Sequence, residues 1–257
     1  RPEEREEQAE AYETEAYDNT SGILVFVLPN LEKKDGLKTL VRDNQIHDNN
    51  RLNFAEPGTI VANVPPGTGM LILAADETEV RNNTIENNES TGVLVLSMKT
   101  VELLVGPSDD PNTDPFPEQN FVHDNVFTNN GTSPKDVLGE WGVVPLENVV
   151  WDGQIDPAKT VQSLCLGAPP FPSYRNVHAP PGLVEVAEHT TDTAEVECTL
   201  PAHPAVTAVS PAGSSRLSRT SSSSRSTGRL ASATTVPAWL TTTRARSAAS
   251  KASAREA

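Results

Sequence analysis

The sequence predicts an all-β fold: a right-handed, single-stranded parallel β-helix of about four rungs, with a C-terminal cap and a disordered tail. Three observations predict it. An Asn-rich stretch recurs as Asp43-Asn44-Gln45-Ile46-His47-Asp48-Asn49, Asn82-Asn83-Thr84-Ile85-Glu86-Asn87-Asn88 and Asp124-Asn125-Val126-Phe127-Thr128-Asn129-Asn130. A glycine opens an apolar run at Gly22-Ile23-Leu24-Val25-Phe26, Gly69-Met70-Leu71-Ile72-Leu73 and Gly92-Val93-Leu94-Val95-Leu96. From Gly69 to Gly92 the period is 23 residues, which three short strands and three turns fill. Copies stacked ~4.8 Å apart pair their backbones in register, so each copy touches only its neighbours.

Residues 1–17 are rich in Glu. Asp18-Asn19-Thr20-Ser21-Gly22 parallels Asn87-Asn88-Glu89-Ser90-Thr91-Gly92 with one residue fewer, so the chain reads as entering partway through a worn copy. From Gly22 to Leu104, short apolar runs bounded by Gly, Asn and Pro punctuate strands rather than helices. Longer intervals hold insertions at Pro29–Gly36, Arg51–Thr68 and Gly106–Gln119. Such insertions collect on one face of a stack, often the binding face. A degenerate fourth turn is expected through Trp141–Val144 and Asn148–Trp151, completing a coil over residues 1–165. Residues 166–200 are Pro-rich and read as the cap, because an open end exposes unpaired strand edges. Beyond, residues 201–257 are rich in Ser, Thr, Ala and Arg with no apolar period, and cannot offset their ordering entropy. They read as a disordered basic tail, or as out-of-frame translation of GC-rich DNA.

Residues 1–200 hold 34 acidic and 12 basic side chains, and residues 201–257 hold 1 and 8, within an overall net charge of −15. An acidic body repels nucleic acid and anionic lipid, so neither is an expected partner. No apolar run approaches the length of a membrane span, so no transmembrane segment is expected. Cys165 and Cys198 are the only cysteines. They are either one disulfide, closing the end of the fold in an export compartment, or two buried thiols.

Asn suits the corners of such a coil because it tolerates left-handed backbone and hydrogen-bonds locally. Asn44, Asn83 and Asn125 are the expected inward ladder. Ile46, Ile85 and Phe127, two residues on, point to the same side. A structural ladder is favoured over a row of sugar ligands, since the motif recurs at every rung.

Gly22–Pro29, Asn53–Gly69, Gly92–Leu96 and Asp110–Glu118 resemble the bacterial parallel β-helix repeat-containing proteins. Their wider superfamily is pectate-lyase-like and includes NosD-like and mannuronan-epimerase-like carbohydrate-binding β-helices. The resemblance covers roughly residues 10–200 and is specific at the insertions. It implies a periplasmic, outer-membrane-anchored or secreted protein, with polysaccharide binding or cleavage as analogy.

Val64-Pro65-Pro66-Gly67-Thr68-Gly69 lacks the Lys and Ser/Thr of a phosphate loop, with Met70 and Leu71 in their places. Asp109, Asp110, Asn112, Asp114 and Glu118 have calcium-like oxygen spacing, although Pro115 stands where an EF-type loop needs Gly. No cofactor is expected, with Ca²⁺ at these oxygens as the alternative to the bland reading, a solvated acidic loop. His47-Asp48 and His123-Asp124 look like an acid/base pair, but stand out of phase with their ladder Asn. Arg42 and Arg81 occupy equivalent places and would either hold an anionic sugar or pair with neighbouring acids. Arg42, Arg81, His123 and Asp124 are therefore the candidate ligand-binding set, and no catalytic residue is assigned. The expected function is non-enzymatic binding of a polysaccharide or a protein partner through loops on one face. A lyase, epimerase or hydrolase with part of its site upstream, and a structural spacer, are the alternatives.

Overall fold

A computed structural model describes residues 9–30, 36–107 and 110–205. The strands come in triplets. Glu10–Tyr12 (β1), Glu15–Tyr17 (β2) and Ser21–Phe26 (β3) make the first level. Leu40–Arg42 (β4), Gln45–His47 (β5) and Thr68–Leu73 (β6) make the second. Glu79–Arg81 (β7), Thr84–Glu86 (β8) and Thr91–Leu96 (β9) make the third. Asn120–His123 (β10), Val126–Thr128 (β11) and Val149–Trp151 (β12) make the fourth, and Leu164–Cys165 (β13) with Tyr174–Asn176 (β14) an incomplete fifth. Each strand pairs with the level above or below, giving three all-parallel sheets. The first is β1-β4-β7-β10-β13, the second β2-β5-β8-β11, the third β3-β6-β9-β12-β14. This arrangement fits a parallel β-helix.

The 23-residue period appears as register: Thr68 pairs with Thr91, Met70 with Val93 and Ile72 with Val95. Inside the coil, Val41, Val80 and Val122 from the first sheet meet Ile46 and Ile85 from the second and Met70, Ile72, Val93 and Val95 from the third, all buried. Each such burial stabilises by about 1.5–3 kcal/mol.

Two corners share one construction. Between the first and second sheets, Asp43, Asn82 and Asp124 have φ of 56°, 55° and 52°, and the next residue is Asn44, Asn83 or Asn125. Between the second and third, Asp48, Asn87 and Asn129 have φ of 52°, 56° and 54°, followed by Asn49, Asn88 and Asn130. The left-handed residue is thus the one before the ladder Asn. The sequence reading gave both tasks to one residue; the chain divides them, one residue turning the backbone and the next bonding along the stack.

Asn44 Nδ2 donates to Asn83 Oδ1 at 2.9 Å, and Asn83 Nδ2 to Asn125 Oδ1 at 2.9 Å. A second column, not expected from the sequence, runs Asn19, Asn49, Asn88, Asn130, Asn148 at 3.2, 3.1, 3.2 and 3.1 Å, and ends where Asn148 Nδ2 donates to Ser173 Oγ. The strand-opening glycines stand against these corners. A Cβ on Gly69 would lie 2.6 Å from Gly92 O and 3.0 Å from Ile85, and one on Gly92 2.8 Å from Asn148 O and from the Phe127 ring.

Asn148–Trp151 leads into the fourth level through β12, but Trp141–Val144 is not a strand. It follows a short helix, Asp136–Glu140 (α2), and Trp141 Nε1 donates to Leu183 O. With Met98–Val105 (α1) and the 3-10 turn Ile60–Asn63, α2 covers the third sheet. A narrow apolar cavity of about 40 Å³ remains between Leu71, Leu94 and Val150 of the sheet and Ile60, Val101 and Leu138 of the loops. Asp152 is fully buried at its edge, where it accepts Ser97 N, Thr100 Oγ1 and Gln154 N. Burial pushes its carboxyl above the usual range, against those hydrogen bonds.

The stack runs past Cys165, because β14 continues the third sheet inside the segment read as cap. Cys165 and Cys198 form a disulfide with Cα atoms 5.0 Å apart. The tail reading falls largely outside the described residues, which end at 205.

Candidate functional site

The three corners differ in what they carry. The first-to-second corner has no insertion at any level. The second-to-third corner carries residues 48–67 and 129–148. The third-to-first corner carries residues 27–30 and 36–39, 97–107 and 110–119, and 152–163, so the described parts of two of the three insertions read from the sequence meet there and the third, Arg51–Thr68, does not. Asn30 N donates to Asp110 Oδ2 at 2.7 Å, tying two of these loops together.

At the far end of the first sheet, beside the first-to-second corner, register places Tyr12, Arg42, Arg81 and His123 in one column. The Arg42 guanidinium lies 4.4 Å over the Tyr12 ring. The column is already paired with acids. Arg42 bonds Glu10 Oε1 and Asp43 Oδ2. The Asp43 hydrogen bond, opposed by desolvation and helped by Glu10, raises Arg42 further above its ordinary value. Arg81 Nε forms an ion pair with Glu79 Oε1 at 3.0 Å, without the alignment of a hydrogen bond. His123 stacks on Phe121 with centroids 3.9 Å apart, its Nε2 is 3.1 Å from Glu79 Oε1, and its Nδ1 is 2.7 Å from Asp124 Oδ2. The structure therefore brings Arg42, Arg81, His123 and Asp124 onto one edge. His47 belongs to the second sheet, stacked on Tyr17 with centroids 5.3 Å apart. Partial burial works against its proton, but hydrogen bonds to Asp48 and Glu15 leave its pKa raised.

Glu79, absent from the sequence reading, is the hub of the column: it is 1 % exposed and also accepts His203 N. His203 Nε2 lies 2.7 Å from Glu77 O. These contacts lay residues 200–204 across the first sheet. Between that segment and the corner residues Lys38, Glu77 and Gln119 is a solvent-open cleft of about 320 Å³. Lys38, Glu77 and Gln119 are left-handed residues at the same corner of successive levels, with φ of 57°, 48° and 52°.

The calcium-like residues are rearranged. Asp110 does not join Asp114 and Glu118. Asp110 closes its own turn, accepting Asn112 N and Thr113 Oγ1 as well as Asn30 N. Asp109 lies outside the described residues. Asp76 takes their place: it lies with Asp114 and Glu118 so that one carboxylate oxygen of each is within 4.8 Å of the others. Glu118 N donates to Asp76 Oδ1 at 2.9 Å. Burial, then the Glu118 charge, pushes the Asp76 carboxyl up to about 7. Lys159 Nζ bonds Asp114 Oδ2 and Glu118 Oε2 at 2.6 Å each; against desolvation of its ammonium, these bonds raise its pKa. The sequence held a signal for Asp76, because Asp76-Glu77-Thr78 aligns with Glu118-Gln119-Asn120 on successive levels. Nothing comparable marked Lys159, which sits in an irregular loop.

The chain matches no protein-family model, no curated protein and no solved structure.

Proposed function

We propose that this chain is a non-enzymatic, carbohydrate-binding module of an exported protein, built on a right-handed parallel β-helix of the pectate-lyase-like kind. Its ligand sits in the cleft at the third-to-first corner. One observation carries the reading: two insertions tied to each other and the 200–204 segment gather at that corner, and the cleft there is of the size that accepts about one sugar ring, near the lower end of ligand pockets. The hand follows the general rule for crossovers between parallel strands of one sheet. The disulfide suits an oxidising, exported compartment, periplasmic or beyond, and no helix among the described residues is long and apolar enough to cross a membrane.

The ion pairs of the column support binding over catalysis. A lyase or epimerase needs a base, a charge neutraliser and an acid converging on one sugar. Arg42, Arg81 and His123 instead meet Glu10, Glu79 and Asp124. The second reading, a polyuronate lyase or epimerase, rests on the same column, because Tyr12, Arg42, Arg81 and His123 form a continuous row along which a chain of sugars can lie.

A glycan array, followed by titration of any hit, separates the two. Binding without turnover that is lost in Glu77→Ala with Gln119→Ala supports the module. Release of unsaturated uronate absorbance from a polyuronate, lost in His123→Ala or Arg81→Ala, overturns it in favour of the lyase. No binding to any glycan leaves a protein partner or a spacer and also overturns the carbohydrate reading.

A further inference from the structure

Three carboxylates from two stretches of chain meet beside the cleft, and one is incompletely satisfied. Glu118 is 7 % exposed, and its Oε1 is buried without a hydrogen-bond partner. Buried polar atoms are almost always bonded, so an orphan carboxylate oxygen inside an acidic cluster marks a place where something binds. The group is also short of positive charge. Lys159 supplies one ammonium to Asp114 and Glu118 and lies 3.9 Å from Asp156, while Asp76 adds a third carboxylate to the group. Lys159 is also easily moved. It reaches in from the irregular loop 152–163 with its side chain 38 % exposed, so it can swing out without disturbing a strand.

We infer that Asp76, Asp114 and Glu118 form a divalent-cation site, suited to Ca²⁺, and that Lys159 is an internal counter-ion which the metal displaces. Ca²⁺ takes six to eight oxygens at about 2.3–2.6 Å, so ligands on opposite sides lie up to roughly 5 Å apart. The ligand atoms, all within 4.8 Å of one another, lie inside that reach. Mg²⁺, at about 2.0–2.1 Å and strictly octahedral, demands a tighter set. Three carboxylates, each using one or two oxygens, leave the remaining positions to water. Asp76 and Glu118 stand just before β7 and β10 on adjacent levels of the stack and are linked there by Glu118 N, whereas Asp114 lies further out in the 106–119 insertion. The ion therefore clamps that insertion to the corner. The site stands independently of the carbohydrate reading.

Calorimetric titration of the whole chain with CaCl₂, and in parallel MgCl₂, tests it. Wild type is expected to bind Ca²⁺ with Kd of about 10⁻⁴–10⁻³ M, the range of extracellular calcium modules. Lys159→Met is expected to bind roughly tenfold tighter, because no ammonium competes for the same oxygens. Asp114→Asn with Glu118→Gln is expected to abolish binding in both backgrounds. A gain of affinity in Lys159→Met cannot come from misfolding. No heat in wild type or Lys159→Met at ~10 mM Ca²⁺, well above that range, overturns the site. Unchanged affinity in Lys159→Met, or binding that survives loss of Asp114 and Glu118, overturns it as well. Equal affinity for Mg²⁺ overturns the choice of ion.

Discussion

Replacing Asn83 with Ala removes the middle of an amide column. Asn83 is 1 % exposed. Its Nδ2 donates to Val41 O, Arg81 O and Asn125 Oδ1, and its Oδ1 accepts Asn44 N and Asn44 Nδ2. Alanine has no atom for any of these. Buried groups left without a partner cost about 1–3 kcal/mol each, and two or three of the five have little access to water, so the loss comes to about 3–5 kcal/mol. That is a large part of the 5–15 kcal/mol, roughly, that holds a domain together. Urea unfolding followed by circular dichroism measures it. With m at most about 3 kcal/mol/M, a 4 kcal/mol loss moves the midpoint down by at least about 1.3 M. The exposed Asn63→Ala serves as control. Asn83→Asp sharpens the argument, since it keeps the shape and replaces the donor with an oxygen facing three acceptors. It should be at least as damaging as Ala at neutral pH and recover partly in acid, where a protonated carboxyl regains one donor. If Asn83→Ala falls within about 1 kcal/mol of the control, or Asn83→Asp matches wild type at neutral pH, the column is not what holds that corner.

Gly69→Ala drives a Cβ to 2.6 Å from Gly92 O, so it should cost about 1–3 kcal/mol in the same assay; a neutral effect would mean that the levels are not closely stacked there. Removing both cysteines opens a loop of sequence separation 33, worth about 3–4 kcal/mol by loop entropy. Limited proteolysis should then cut earlier within residues 199–205, and an unchanged cleavage rate would show that the disulfide does not secure that segment. For Asp152, burial raises the folded pKa above its ordinary 3.8, so the folded state holds the proton longer than the unfolded one. Its contribution is fully present below 3.8 and is lost as pH rises through the folded value. Asp152→Asn should therefore gain on wild type as pH is raised, read as the difference in melting temperature between about pH 4 and pH 7. A pH-independent difference would mean that the three donors to Asp152 fully offset its desolvation.

The coil was legible because its determinants are local and repeated. Gly69 and Gly92 mark successive entries into one sheet, and the Asn83 motif marks the corner before it. The second amide column was also in plain text, as the closing Asn of each motif, but only one of the two stretches was read as a ladder. Division of labour at the corner was not legible, because Asp43 and Asn82 are chemically unlike yet share one backbone conformation. The candidate site was half legible. Arg42, Arg81 and His123 stand at equal distances before a ladder Asn, so their column follows from phase alone. Glu79 and Lys159 were missed because their roles arise from the returning 200–204 segment and the 152–163 loop, whose paths no periodicity encodes, whereas Asp76 was readable from its register with Glu118. Asp110 misled for the opposite reason, since its spacing suits a metal but its lone pairs close a turn.

The uninterrupted edge between the first and second sheets bears on how this protein tolerates change. Four times the chain crosses it in two residues, Glu13-Thr14, Asp43-Asn44, Asn82-Asn83 and Asp124-Asn125, while the other two edges admit excursions of many residues. It behaves as a spine, and the remaining edges as sockets. A peptide grafted at Gly58, where an added Cβ would meet nothing within 4 Å, should leave the scaffold standing, whereas even one residue added at Asp43 would put every later level out of step.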